Sequence, residues 1–209
     1  GLVNYAEVLG GEEVTNGEFA TDTDWTVQAD IEITNGQAVA INATLKYLFQ
    51  SASLITNKIY KITFTVSDYV SGTVRSGLGS GLGNIGDNRT SNGTFIDYVT
   101  FTGGETFLGV LFTNNATLKI DNISVKEVGQ DFIFGDGWGM GDSKAVAVAG
   151  TSSRLEQLIS GLNGKSAKVT FTLSNYGGSG SVYVDFGSTN SSLVNTNGEH
   201  TVYGTFDQN

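Results

Sequence analysis

The chain contains an internal repeat. Residues 38–69 align without a gap on residues 145–176, an offset of 145 − 38 = 107, and 14 of the 32 aligned positions are identical. A match of that length within one chain marks two copies of one structural unit. The shared residues are mostly small, apolar or β-forming, as a scaffold requires; Phe64/Phe171 and Tyr69/Tyr176 are examples. Pairs such as Tyr47/Arg154 and Phe49/Glu156 have changed chemistry, so a function read from side chains would differ between the copies. The alignment continues with small length changes, Ser71–Arg75 matching Ser179–Tyr183 and Tyr98–Phe101 matching Tyr203–Phe206. Unit 1 is therefore placed at 11–127 and unit 2 at 131–209. Residues 1–10 form an N-terminal connecting segment, and 128–130 form a linker short enough to limit relative motion.

Each unit has about the length at which one sandwich core supports itself. Strand signals fall in short blocks, Lys58–Ser67, Gly72–Gly77, Phe95–Thr102, Phe107–Phe112 and Ala116–Val125, separated by Gly, Asn, Asp and Ser clusters. No window shows sustained helical periodicity. The nearest, Ser152–Ser160, reads as strand because its counterpart in the first copy does. The pattern predicts an all-β chain of two tandem antiparallel β-sandwiches with almost no helix.

Alternation assigns the faces. The predicted core of unit 1 includes Trp25, Leu48, Tyr60, Ile62, Phe64, Val74 and Phe101. Tyr47, Phe49, Arg75 and Tyr98 then point outward. In unit 2, Val182, Val184 and Phe186 point inward, leaving Arg154, Glu156, Tyr183, Asp185 and Tyr203 outside. Trp138, in a Gly-rich stretch, is expected in a flexible loop. The second copy has no counterpart of roughly residues 105–126, so unit 2 reads as incomplete. The sequence opens on Gly1 and stops in Asp207-Gln208-Asn209, and the expectation is a segment of a longer polypeptide that supplies the missing strands, with strand donation by a neighbouring chain as the alternative.

Composition excludes several functions. There are no cysteines, hence no disulfides and no thiolate metal site. A net charge of −10 with only 11 Lys and Arg argues against nucleic-acid binding. No run of about 18 apolar residues is present, so no membrane insertion by a helix is expected. Six Asn-x-Ser/Thr sequons, beginning at Asn42, Asn88, Asn92, Asn115, Asn122 and Asn190, read as turn chemistry in a chain this rich in Asn, Ser and Thr. Catalysis finds no support: His200 is the sole histidine, the Gly-rich run Ser76–Gly83 lacks a following Lys-Ser/Thr, and acid pairs such as Asp22 with Asp24 suit solvated loops.

The order Glu13–Phe19, Asp24-Trp25, Lys58–Val66 and Leu118–Val125 resembles the carbohydrate-binding-module jelly rolls of the galactose-binding-like type, across all of unit 1 and most of unit 2. The opening LGGEEVTNGEFATDTDW and the closing IDNISVKEV look most like modules of tail-fibre and other virion proteins of bacteriophages. The resemblance implies a jelly-roll sandwich, a core role for Trp25 and a structural calcium. Such a calcium is held by oxygens from the first strand and from an acidic position in the last; Asp121 matches that acidic position, and Glu18, in the first motif, is the other candidate ligand. However, Asn122 and Ala20 stand where further carboxylates are usual, which lowers affinity for a hard cation. A local turn bond is the competing role for Asp121.

Sugars bind by laying an apolar pyranose face on an aromatic ring while polar groups orient the hydroxyls. On that logic the carbohydrate-binding candidates are Tyr47, Phe49, Arg75 and Tyr98 in unit 1, with Tyr183 and Tyr203 at the corresponding places in unit 2. The competing role for outward aromatics is ordinary β-sheet packing. The resulting expectation is a non-enzymatic protein of the virion surface or extracellular space, binding host-surface glycan, with other virion proteins or its own copies as partners. An appendage of a secreted bacterial glycosidase and a purely structural spacer are the alternatives.

Overall fold

The computed structural model describes residues 9–129, 132–141, 143–148, 152–157 and 159–207. They divide into two compact units, the first built from the residues up to Phe134 with Trp138–Val146, the second from Gly135–Gly137 and the residues from Ala147 on. The elements in chain order are β1 Leu9–Glu12, β2 Thr26–Val27, β3 Ile31–Thr34, β4 Gln37–Ala43, β5 Lys46–Ser51, β6 Ile59–Leu78, β7 Asn84–Ile85, β8 Gly93–Thr100, β9 Phe107–Val128, β10 Ile133–Phe134, β11 Trp138–Gly141, β12 Lys144–Ala147, β13 Leu155–Glu156, β14 Ser166–Leu173 and β15 Gly198–Thr205. The helical element among the described residues is a 3-10 turn, Ser80–Leu82. The protein is all-β, and its ladders are antiparallel.

The first unit is a sandwich whose two sheets share their longest strands. The first half of β6 pairs with β8 and with the second half of β9, which also carries β4 and β1. The second halves reverse this arrangement: residues 73–78 of β6 pair with residues 108–113 of β9, flanked by β7 on one side and by β5 and β2 on the other. The sequence blocks Lys58–Ser67 and Gly72–Gly77 are thus one strand, and Phe107–Phe112 and Ala116–Val125 are another. Asp68, Gly72, Asn114 and Asn115 carry positive φ where the strands bend from one sheet to the other, which is why composition placed turns there. A side chain at Gly72 would put its Cβ 2.3 Å from Ala116 Cα, at φ +82°. Tyr69 braces the bend by donating its hydroxyl to the Gly72 carbonyl at 2.9 Å, while its N–H donates to the Asn92 side-chain oxygen.

The predicted core holds throughout: Trp25, Leu48, Tyr60, Ile62, Phe64, Val74 and Phe101 are all buried between the sheets. Trp25 packs on Phe19, with ring centroids 5.2 Å apart, and its indole N–H donates to the Asn16 carbonyl. The core also holds a charged group whose partners local alternation does not reveal. Asp97, 4% exposed, accepts from Ser76 Oγ at 2.5 Å and pairs with the Arg89 guanidinium, which lies over the Phe95 ring. A buried carboxylate persists only with such partners.

The second unit, taken by itself, is simpler. Strands β14 and β15 form a two-stranded ladder from Ser166↔Thr205 to Leu173↔Gly198, in the same relation as β6 and β8. The Tyr brace recurs: Tyr176 donates its hydroxyl to Gly180 and its N–H to the Asn197 side chain. Phe186 and Val194 are buried, and Phe186 meets Phe206 edge-on at 5.2 Å. Residues 182–186 alternate as expected, with the valines and Phe186 more buried than Tyr183 and Asp185. Their pairing, however, is limited to the bridges Val182↔Val194 and Asp185↔Asn190. Trp138, expected in a loop, lies in β11.

Candidate functional site

Cross-strand register brings three of the sequence-chosen residues onto one outer face of the first unit. Tyr47 on β5 is opposite Leu111 on β9, and Leu111 is opposite Arg75 on β6. Residues paired across antiparallel strands share a face, so Tyr47, Leu111 and Arg75 form one row. The next row runs Thr26, Phe49, Gly109, Gly77 and Ile85. Phe107, two residues before Gly109, shares the face and meets Phe49 edge-on, with centroids 5.1 Å apart. The glycines leave the middle of that row without side chains. Over Gly77 that space is taken by the 3-10 turn, since a Cβ there would fall 2.6 Å from Leu82 Cβ and Leu82 is itself buried.

Local bonds hold the aromatic edge in place. Tyr47 N–H donates to the Gln28 side-chain oxygen at 3.0 Å, and Gln28 N–H returns to the Tyr47 carbonyl at 3.4 Å. Leu111 is buried, at 3% exposure, although it lies outside the sandwich core, so its surroundings on this face already cover it. Thr73 and Thr113, paired across β6 and β9, supply hydroxyls beside Arg75, and Asn114 donates to Thr73 Oγ1 at 3.3 Å. Arg75 Nε is buried without a hydrogen-bond partner. Arg75 shares the outer row with Tyr47, with Leu111 between them, so this face carries a cation and aromatic rings on adjacent strands, the combination that a polyhydroxyl or carboxylate-bearing ligand uses.

Tyr98 does not belong to this set. It lies on β8, opposite Lys61, on the outer side of the other sheet, with the Lys61 ammonium 5.9 Å from its ring centre. There it packs with Phe134 on a small cluster of Ile59, Val128 and Met140. Outwardness could be read from alternation, but which of two sheets a residue faces away from could not, because both sheets use the same long strand β6.

In the second unit the counterparts of Tyr47 and Phe49 are ion-paired: Arg154, largely exposed, lies 3.4 Å from Glu156 and 3.6 Å from the partly exposed Asp185. Such exposed pairs contribute little stability. Tyr183 and Tyr203 are exposed at 44% and 71%, and Tyr203 is opposite Lys168 as Tyr98 is opposite Lys61. The two tyrosines stand on different segments, and among the described residues neither has an aromatic ring partner. Asp121 accepts its neighbour Asn122 N–H at 2.7 Å, the local turn bond, and Glu18 is exposed. Among the described residues no group of three acidic or histidine side chains converges on a point. The donor set around Asp121 and Glu18 is therefore thin for a hard cation. No helix among the described residues is long and apolar enough to cross a membrane.

Sequence reasoning missed Phe107, Leu111 and the hydroxyls of Thr73 and Thr113. The alternation Phe107, Gly109, Leu111 within the predicted block Phe107–Phe112 was the available signal.

No protein-family model matches the chain, and no curated protein does. Among solved structures it is similar to one described as "CBM4 structure and function", at 16% identity over 54% of this chain and 98% of that one, with a TM-score of 0.40. It is also similar to the CBM22-1 xylan-binding domain of Paenibacillus barcinonensis Xyn10C, at 13% identity over 60% of this chain and 98% of the domain, TM-score 0.41. A third similarity is to the CBM22-1 and GH10 modules of the Clostridium thermocellum xylanase 10B, at 12% identity over 58% of this chain and 29% of that one, TM-score 0.40. At these scores the similarities carry no argument about ligand or site.

Proposed function

We propose that the first unit is a non-catalytic glycan-binding module whose site is the outer face formed by Tyr47, Phe49, Phe107 and Arg75. The observation that carries this reading is the register that puts Tyr47 and Arg75 in one outer row with the Phe49–Phe107 ring pair beside it. An aromatic ring offers the flat apolar contact that a pyranose C–H face needs, and a fixed guanidinium selects hydroxyl or carboxylate orientation. The setting we propose is the virion surface or another extracellular surface, where such a module would hold a particle to host glycans. Companion virion proteins or further copies of the chain would supply avidity for a weak single site. A structural calcium at Asp121 and Glu18 is a secondary proposal that this function does not require.

A glycan array probed with the 209-residue chain and with a Tyr47→Ala/Phe49→Ala double variant tests the reading. Binding by the parent to a defined set of glycans, lost in the double variant, is the expected result. Equal binding by both proteins would move the site elsewhere, and binding by neither would favour a structural spacer. The alternative of a glycosidase appendage would be favoured by a hydrolase domain in the polypeptide beyond residue 209.

A further inference from the structure

The two units differ at one edge. In the first, β6 is paired on both sides, by β8 and by β9. In the second, the equivalent strand β14 pairs with β15, and no described strand occupies its other edge. Phe206 N–H donates to the Lys165 carbonyl, so antiparallel alternation turns the backbone groups of Ser166, Lys168, Thr170 and Thr172 towards that open edge. The inner face is open as well. Ile62, Phe64 and Val66 in the first unit are 1%, 0% and 2% exposed, whereas their counterparts Val169, Phe171 and Leu173 are only half-buried.

We propose that this edge and face are a docking site for an extended polypeptide segment, from outside the described residues, with the alternating apolar pattern of Phe107–Val128. The repeat identifies the occupant. In the first unit the same edge takes the second half of β9, with Lys61↔Lys126, Thr63↔Ser124 and Thr65↔Asp121 in register. Leu118, Ile120, Ile123 and Val125 of that strand then fill the core with Ile62, Phe64 and Val66. The three edge residues are retained identically in the second unit as Lys168, Thr170 and Thr172. A second copy of the chain fits less well: joining two β14 edges would extend a sheet yet leave Val169, Phe171 and Leu173 uncovered. Open edges beside apolar faces are the surfaces that strand addition uses.

Amide hydrogen exchange tests this on the 209-residue chain and on a chain extended, through a flexible linker, by a second copy of its own residues 105–128. In the parent, Lys168, Thr170 and Thr172 are expected to exchange much faster than Lys61, Thr63 and Thr65. The extension is expected to slow the former by at least about tenfold, leaving the first unit unchanged. A control extension with serine at the places copied from Leu118, Ile120, Ile123 and Val125 should leave parental rates. Slow exchange in the parent at every concentration would show the edge already covered, and slowing that grows with concentration would assign it to a second copy. Either outcome overturns the proposal, as does an extension without effect or a serine control that protects equally.

Discussion

Phe64 and Phe171 are the same residue at the same register in the two units, one opposite Phe95 and the other opposite His200. Their ring partners are equally near, with centroids 5.8 Å and 5.7 Å apart. Their surroundings differ, since Phe64 is fully buried and Phe171 is half-buried. Truncating a buried Phe to Ala costs about 3–5 kcal/mol, combining lost transfer energy with the cavity left behind. At Phe171 roughly half of the ~1.5–3 kcal/mol transfer term applies, and water fills the space, so the cavity term falls away. The expected losses are about 3–5 kcal/mol for Phe64→Ala and ~1 kcal/mol for Phe171→Ala. Native-state hydrogen exchange on the slowest amides of each unit reads both values, where one melt would mix two unfolding steps. Phe→Leu at both sites keeps the same ordering if Phe64→Ala fails to fold. Equal losses from the two truncations would refute the argument, because they would mean that the face around Phe171 is covered in solution.

Two further outcomes follow from buried polar groups. Burial pushes the Tyr60 phenol above the ordinary tyrosine value, partly offset by the Ile55 N–H it accepts at 2.7 Å. A raised folded-state value means that this stability is fully present below about pH 10 and is lost as pH rises through the folded value. Tyr60→Phe should therefore cost about 1 kcal/mol at neutral pH by stranding the Ile55 N–H, while flattening the alkaline loss seen in denaturant titrations above pH 10. Arg89→Ala should cost about 3–5 kcal/mol in chemical denaturation by leaving the Asp97 carboxylate buried without its cation, and Arg89→Met with Asp97→Leu should recover more than half of that.

The core was legible because period-2 alternation and burial are one physical fact seen twice: Tyr60, Ile62, Phe64 and Val66 alternate, and they are buried. The length of the strands was not legible. Asp68, Gly72, Asn114 and Asn115 read as turns, yet the chain uses their positive φ to bend strands and carry them from sheet to sheet. That error propagated to the site. Tyr98 and Arg75 were both correctly outward, but outward from different sheets, which only the register of β6 reveals. Asp97 sits at an inward position between Phe95 and Val99, and its partners Ser76 and Arg89 are 21 and 8 residues away, too distant for local patterning to reveal.

The measurement that bears most directly on the proposed site is an amide-shift titration of the isotope-labelled 209-residue chain with the glycan that the array selects. Shifts concentrated at Tyr47, Phe49, Gly109, Leu111 and Arg75, with Lys61 and Tyr98 still, are the predicted result. Tyr47→Ala should then weaken the fitted affinity by about 1–2 kcal/mol, the scale of one aromatic contact with its buried area, without lowering the melting temperature. Shifts centred on Tyr98, or on Tyr183 and Tyr203, with the Tyr47 row unmoved, would contradict the account.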